Sequence, residues 1–193
     1  NDNRVLNVLY LSNFIESKGY KHVLHLALMT KKRGVEGVSF HFAGKFFQME
    51  DHDFFNTFVS ENELSSLITY HGVVSGNAKK ELLKMCDVFV LLTKYPNEGQ
   101  PISILETMGN GMTIITTNHA GIPDVVKDGV NGLLVDKNHI DTELIFSYLL
   151  RLKGNRDMWC EIVRNNYMEV KDNYKEDTSR SEERFSRNAE TDI

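Results

Sequence analysis

The chain has 193 residues, 22 basic against 27 acidic side chains, a formal net charge of −5 and 41% apolar residues. Such a composition supports a buried core without disulfide or metal staples, and its acid excess argues against a duplex nucleic-acid binder, which would carry a basic face. No apolar run reaches the roughly 18 residues of a membrane span; no signal-peptide core follows Asn1-Asp2-Asn3-Arg4; and Cys86 and Cys160 lack zinc-type spacing, reading as reduced thiols of a cytoplasmic protein.

In chain order, the first strand is expected over 5–11 (VLNVLYL). A helix follows over about 20–32, where Val23, Leu24, Ala27 and Leu28 recur at helical spacing, and Gly34 is placed to close it. Residues 38–43 (VSFHFA) alternate as a strand, 49–64 read as a helix turning Phe54, Phe55 and Phe58 inward, and 67–70 form a short strand. Ser75 is the expected N-cap of a helix over 76–85. The run 87–93 (DVFVLLT) is nearly all apolar, as in a central parallel strand covered on both faces. After a turn-rich loop, Pro101 takes a first helical position, where its missing N–H costs nothing, and that helix runs to about Asn110 before Gly111. A strand over 112–117, a short helix over 122–126 and a strand over 132–135 follow. Thereafter only helical patterns occur, over 141–152, 155–172 and 175–188.

This alternation predicts the α/β class: a doubly wound, mainly parallel six-stranded Rossmann-like sheet with a helical C-terminal tail. The domain is expected over 1–173, with 174–193 as the tail. Such sheets bind ligands at the carboxyl ends of their strands, so the loops there are where chemistry is sought.

The richest loop is 95–106, YPNEGQPISILE. Glu98 lies in the loop and Glu106 about one turn into the helix, with seven residues between them. The backbone N–H groups of Gly99, Gln100, Ile102 and Ser103 stand at the helix start, whose partial positive charge suits a phosphate. A carboxylate accepts hydrogen bonds from vicinal hydroxyls, so the arrangement suits a sugar nucleotide. Spacing alone does not separate this from a solvated loop acid and a surface helix residue. In the loop 12–19, Lys18 precedes Gly19 at a helix start and can neutralise a diphosphate, although by itself it reads as a solvated charge. The G-x-G-x-x-G fingerprint and the Walker lysine motif are both missing, against a nicotinamide, flavin or P-loop site. In 70–75, Gly72 lets a flat base approach the backbone, and His71 reads as a hydrogen-bonded residue of the core edge. His119 reads as solvent-side loop material, and Asp124 and Asp128 as caps in turns.

In order, the segments LYLSNFIESKG (9–19), FHFAGK (40–45), HGVVS (71–75) and CDVFVLLTKYPNEGQPISILETMGNGMTIITTNHAGIPDVVKDGVNGLLV (86–135) resemble the retaining glycosyltransferases of the GT-B fold, the large family usually numbered four. Glu98 and Glu106 match that family's E-x7-E motif in its strand–loop–helix setting. The resemblance covers roughly 5–150. It implies that Glu98 hydrogen-bonds the transferred sugar and Glu106 the ribose. It implies further that Lys18, Gly19 and the amides at the Pro101 helix hold the diphosphate, and that Gly72 and Val73 border the base. The implied reaction moves a hexose from a nucleoside-diphosphate sugar to an acceptor hydroxyl with retention, without metal or other cofactor.

Two departures stand out. Asn13 occupies a position where the family commonly has Arg, and Pro101 one where many relatives have Gly. The resemblance also implies a partner: an N-terminal acceptor domain of the same enzyme, since GT-B enzymes set their site between two such domains. The start at Asn1 without methionine fits a piece of a longer chain. The alternative is a stand-alone nucleotide-binding α/β module without transfer chemistry; an NAD-linked enzyme falls behind for want of the glycine fingerprint.

Overall fold

The computed structural model describes residues 4–96 and 102–174. Strands β1 (Leu6–Leu11), β2 (Val38–Ala43), β3 (Ile68–Tyr70), β4 (Val88–Leu91), β5 (Thr113–Thr117) and β6 (Gly132–Val135) form one sheet, every pairing parallel, in the order β3-β2-β1-β4-β5-β6. The helices are α1 (Tyr20–Lys32), α2 (Met49–Glu61), α3 (Gly76–Met85), α4 (Ile102–Gly109), α5 (Ile122–Val125), α6 (Thr142–Gly154) and α7 (Arg156–Asn173). Helix α1 packs against α2 and against α6, and α4 lies against α7 and β5. The expected doubly wound α/β architecture is thus present. The helix expected over 175–188 lies outside the described residues.

Each boundary has a local cause. Helix α1 ends where Gly34 N–H reaches Lys31 O (3.0 Å) and Val35 N–H reaches Thr30 O (3.0 Å), the paired bonds of a Schellman motif. Helix α4 closes in the same way at Gly111, which has φ +67°. Helix α2 stops at Glu61 rather than 64, because Glu63 takes a left-handed φ of 50° while its N–H bonds Ser60 O and Leu64 N–H bonds Val59 O. Ser75 occupies the N-cap position of α3, but its side chain makes no capping bond. Asp141 and Asn155 do cap α6 and α7, through Leu144 N–H (2.9 Å) and Met158 N–H (3.0 Å). A 3-10 turn over Glu16–Lys18, not expected from the sequence, leads into α1.

The sheet carries the core. Val8, Tyr10, Phe40, Phe42, Val90, Ile114 and Ile115 are all buried, as burial on both faces of a parallel sheet requires. Phe14, in the loop after β1, stacks on Phe46, in the loop after β2, at 4.0 Å between centroids, and meets Phe55 and Tyr70 edge-on. Such pairs are worth about 0.5–1.5 kcal/mol each beyond their buried area. They fasten two loops at the carboxyl edge to the core; Phe14 N–H to Lys45 O (2.9 Å) adds a backbone stitch. At the other side of the sheet Asn166 is fully buried, and its amide donates to Met112 O and Asn131 O at 2.8 Å each, tying α7 to the start of β5 and the turn before β6. Cys86 is buried, Cys160 is half-buried, and no disulfide joins them. Among the described residues no helix is long and apolar enough to cross a membrane.

Candidate functional site

The strand order reverses direction between β1 and β4, where this kind of sheet opens a crevice beyond its carboxyl ends. A cleft of about 290 Å³ lies there. Its walls are Leu11, Ser12 and Asn13 after β1, Gly44 and Lys45 after β2, Val73 and Val74 after β3, Lys79 on α3, and Ser103 and Glu106 on α4.

Glu106 reaches the cleft because of how α4 is anchored. Ile104, Thr107 and Met108 are buried against the sheet and α7. Ser103 and Glu106, three apart, share another face and turn toward the cleft. Both carboxylate oxygens of Glu106 accept from Lys79 Nζ at 2.7 Å, and each side chain of the pair keeps 29% of its exposure.

The wall formed by 71–74 is held from below. His71 N–H donates to Phe42 O (2.8 Å), Gly44 N–H to Gly72 O (2.9 Å), and Tyr70 Oη to Gly44 O (2.9 Å). Val73 is 72% exposed on that wall. The His71 ring meets His41, which is buried, at 3.0 Å. Burial holds the imidazoles of His41 and His71 below their ordinary range; for His41 the neighbouring His71 adds to this and Asp87 opposes it. The reading of His71 as a hydrogen-bonded residue at the core edge thus matches the structure.

Of the residues singled out in the sequence, Val73, Ser103 and Glu106 come together in this cleft. Lys18, Gly19, Gly72 and Ile102 are not among its walls. Lys18 instead sets its ammonium 4.5 Å from the centroid of the Tyr95 ring, a cation–π contact that lies beside the loop leading to Glu98. Gly19 is buried with φ +83°, its backbone packed on the carbonyl of Leu92, and Lys94 N–H bonds Ser17 O (2.7 Å), so loops 12–19 and 92–95 are stitched together. Ile102 is 70% exposed at the head of α4. Glu98, Gly99, Gln100 and Pro101 lie outside the described residues.

His119 corrects an expectation. It is half-buried, with Nε2 2.8 Å from Tyr95 O and Nδ1 3.1 Å from Lys137 Nζ. An ammonium only donates, so Nδ1 accepts and Nε2 carries the proton given to Tyr95. His119 is therefore a clamp on the 92–96 loop rather than solvent-side material. Asp128 does act in its turn, accepting Leu134 N–H at 3.0 Å.

Sequence reading missed Lys79, although a signal existed. Lys79 stands three and four residues before Leu82 and Leu83, the buried positions of α3, and thus on its inward stripe. A charge on an inward stripe calls for a partner, and the structure supplies Glu106. Among the described residues no group of three or more His, Cys, Asp or Glu side chains is placed to hold a metal ion.

With this geometry in place, comparison with known proteins identifies the family. The chain is 28% identical over 174 residues to a 41.2 kDa protein of the cps region of Klebsiella pneumoniae, covering 86% of this chain and 44% of that one. Its fold matches the C-terminal domain of LpcC, a glycosyl transferase group 1 family protein from Francisella tularensis, with a TM-score of 0.76, 21% identity, and coverage of 89% and 87% of the two chains. It also matches Anabaena HepE, crystallised with UDP-glucose, with a TM-score of 0.76 and 14% identity, over 97% of this chain and 49% of that one. The chain spans less than half the length of the curated relatives it matches. The family model described as glycosyl transferases group 1 matches residues 2–166, and the chain belongs to that family.

Proposed function

We propose that this chain is the donor-binding half of a retaining glycosyltransferase, moving a hexose from a nucleoside-diphosphate sugar to an acceptor hydroxyl in polysaccharide or glycoconjugate synthesis. The observation that carries the reading is Glu106. Its carboxylate opens into a cleft at the topological switch point, one turn into a helix whose N-terminal end faces the same side. A carboxylate there accepts from the vicinal hydroxyls of a ribose, while the head of α4 and its preceding amides favour phosphate charge. HepE, which shares the fold, binds UDP-glucose, in keeping with this assignment.

The roles follow. Glu106 takes the ribose, and Gly72 and Val73 border the base. Lys18, with Gly19 and the amides of Gly99, Gln100, Ile102 and Ser103, offsets the diphosphate, whose charge grows as the bond from the anomeric carbon to its oxygen breaks. Glu98 holds the transferred sugar while the acceptor oxygen bonds to the same face of that carbon. No metal is needed in this scheme, since lysine and the helix end carry the charge. The acceptor is read by an N-terminal domain of the same cytoplasmic enzyme, so the 193-residue chain binds nucleotide without turning it over. Calorimetry with UDP, GDP and ADP at millimolar concentration tests the reading: one of them binds, and failure of all three overturns it.

A further inference from the structure

The cleft holds a cation that the donor-site reading leaves without a task. Lys45, exposed in the loop after β2, is one of its wall residues. Its backbone is pinned on two sides: the preceding Gly44 N–H donates to Gly72 O (2.9 Å), and Lys45 O accepts from Phe14 N–H (2.9 Å). The side chain therefore leaves from a fixed point beside the 72–74 wall, and Val73 and Val74 line the same cleft. The other ammonium of the cleft, Lys79, is committed to Glu106 at 2.7 Å. Among the described residues no carboxylate pairs with Lys45, whose ammonium lies 5.2 Å from the centroid of the exposed Phe47 ring. A cation–π contact at an exposed ring is weak, so a ligand acceptor can replace it at little cost. An ammonium has three donors and no acceptor, whereas the neutral polar side chains of the cleft, Ser12, Asn13 and Ser103, both donate and accept and so suit either kind of partner.

We infer that Lys45 reads the base: it selects nucleotides whose base presents a carbonyl oxygen on the edge away from the sugar, uracil or guanine, over those that present an amino group there, cytosine or adenine. The inference rests on the proposed placing of the base against Gly72 and Val73. A base on that wall turns its rim toward Lys45. A carbonyl oxygen on the rim accepts a charge-assisted hydrogen bond. An amino group in the same place offers only hydrogens, so two donors face each other and neither is satisfied. The diphosphate is a separate matter. Lys18 and the head of α4, to which it is assigned, follow β1 and β4, while Lys45 follows β2 and neighbours the wall that follows β3.

The test measures calorimetric affinities of the 193-residue chain for UDP, CDP, GDP and ADP, comparing wild type, Lys45→Met and Lys45→Arg. UDP and CDP exchange a carbonyl for an amino group on a pyrimidine, and GDP and ADP do so on a purine. Within the ring class that binds more tightly, wild type prefers the carbonyl member by about tenfold, the effect of one hydrogen bond to a charged group. Lys45→Met brings the two members to within about twofold of each other, and Lys45→Arg, also a cation that only donates, keeps the preference. Both variants retain the backbone bonds of residue 45, and an unchanged urea midpoint checks that they fold alike. The inference is overturned if wild type treats the two members alike or prefers the amino base, or if the preference survives in Lys45→Met. It is overturned equally if Lys45→Met weakens all four ligands by one factor, since Lys45 would then serve the phosphates. If none of the four binds to wild type, the donor-site reading fails first and takes the inference with it.

Discussion

Nε2 of His71 lies 3.0 Å from Nδ1 of His41, and this contact joins the wall of the cleft to a polar chain inside the sheet. His41 Nε2 lies 3.2 Å from Asn7 Oδ1, which also accepts from Ser39 Oγ at 2.7 Å; Asn7 N–H in turn donates to Asp87 Oδ2 at 2.9 Å. An amide oxygen only accepts, so His41 carries its proton on Nε2, and its Nδ1 accepts from His71 Nε2–H. The chain is complete only while His41 is neutral.

Stability is therefore expected to fall on acidification. Burial lowers the pKa of His41 and of His71 below the ordinary 6.5, and His22 is lowered in the same way. Between the lowered values and 6.5 the unfolded chain binds more protons than the folded one, so stability rises with pH there. It is fully present above about 6.5 and is lost as pH drops below that value. Urea denaturation at several pH values checks this. His41→Gln lowers stability at neutral pH and shows a shallower loss on acidification than wild type; an unchanged slope would remove His41 from the account.

The two motif glutamates are expected to separate by ligand. Glu106→Ala weakens binding of a bare nucleoside diphosphate by about 1–3 kcal/mol, the range for charge-assisted hydrogen bonds. Glu98→Ala leaves that affinity nearly unchanged, since its assigned partner is the sugar, but impairs transfer by the full-length enzyme. Calorimetry on both variants with the same diphosphate checks the division, and equal losses contradict it.

Gly19→Ala is expected to destabilise the chain. The residue has φ +83°, and an added Cβ would collide with the Leu92 carbonyl oxygen and lie 2.8 Å from Leu92 Cβ. A left-handed non-glycine residue costs roughly 1–3 kcal/mol, and the contact with Leu92 adds to it. The loss appears as a lower urea midpoint, together with weaker nucleotide binding if the 12–19 loop shifts from the 92–95 loop.

Asn166→Ala tests a fold contact remote from the cleft. It removes two amide bonds and leaves the carbonyls of Met112 and Asn131 buried without this partner. A loss of about 1–3 kcal/mol in denaturation is expected for each group so stranded, with nucleotide affinity preserved in the folded protein.

The order of the elements was legible because parallel strands buried on both faces write continuous apolar runs, as in VFVL of β4, and because Gly34 and Gly111 punctuate helix ends. The end of α2 was not, since its left-handed residue is Glu63 rather than glycine. Nor was the missing cap at Ser75, whose identity suits a hydrogen bond that its geometry does not make. In the candidate site, Glu106 was marked only through the family resemblance of 86–135, whereas Lys79 and the His119 clamp join side chains 27 and 18 residues from their partners. Pairings of that range depend on which loops the sheet order brings together, and no local pattern records them.

The most direct measurement of the central claim is the set of backbone amide NMR shifts of the 193-residue chain on titration with the tightest-binding nucleoside diphosphate. The account predicts that the largest changes fall on Val73, Lys79, Ser103 and Glu106, around one cleft. Binding whose shifts leave those four residues unmoved and gather elsewhere, for instance around Tyr148 and Arg151 at the cavity between α6 and β6, would contradict it.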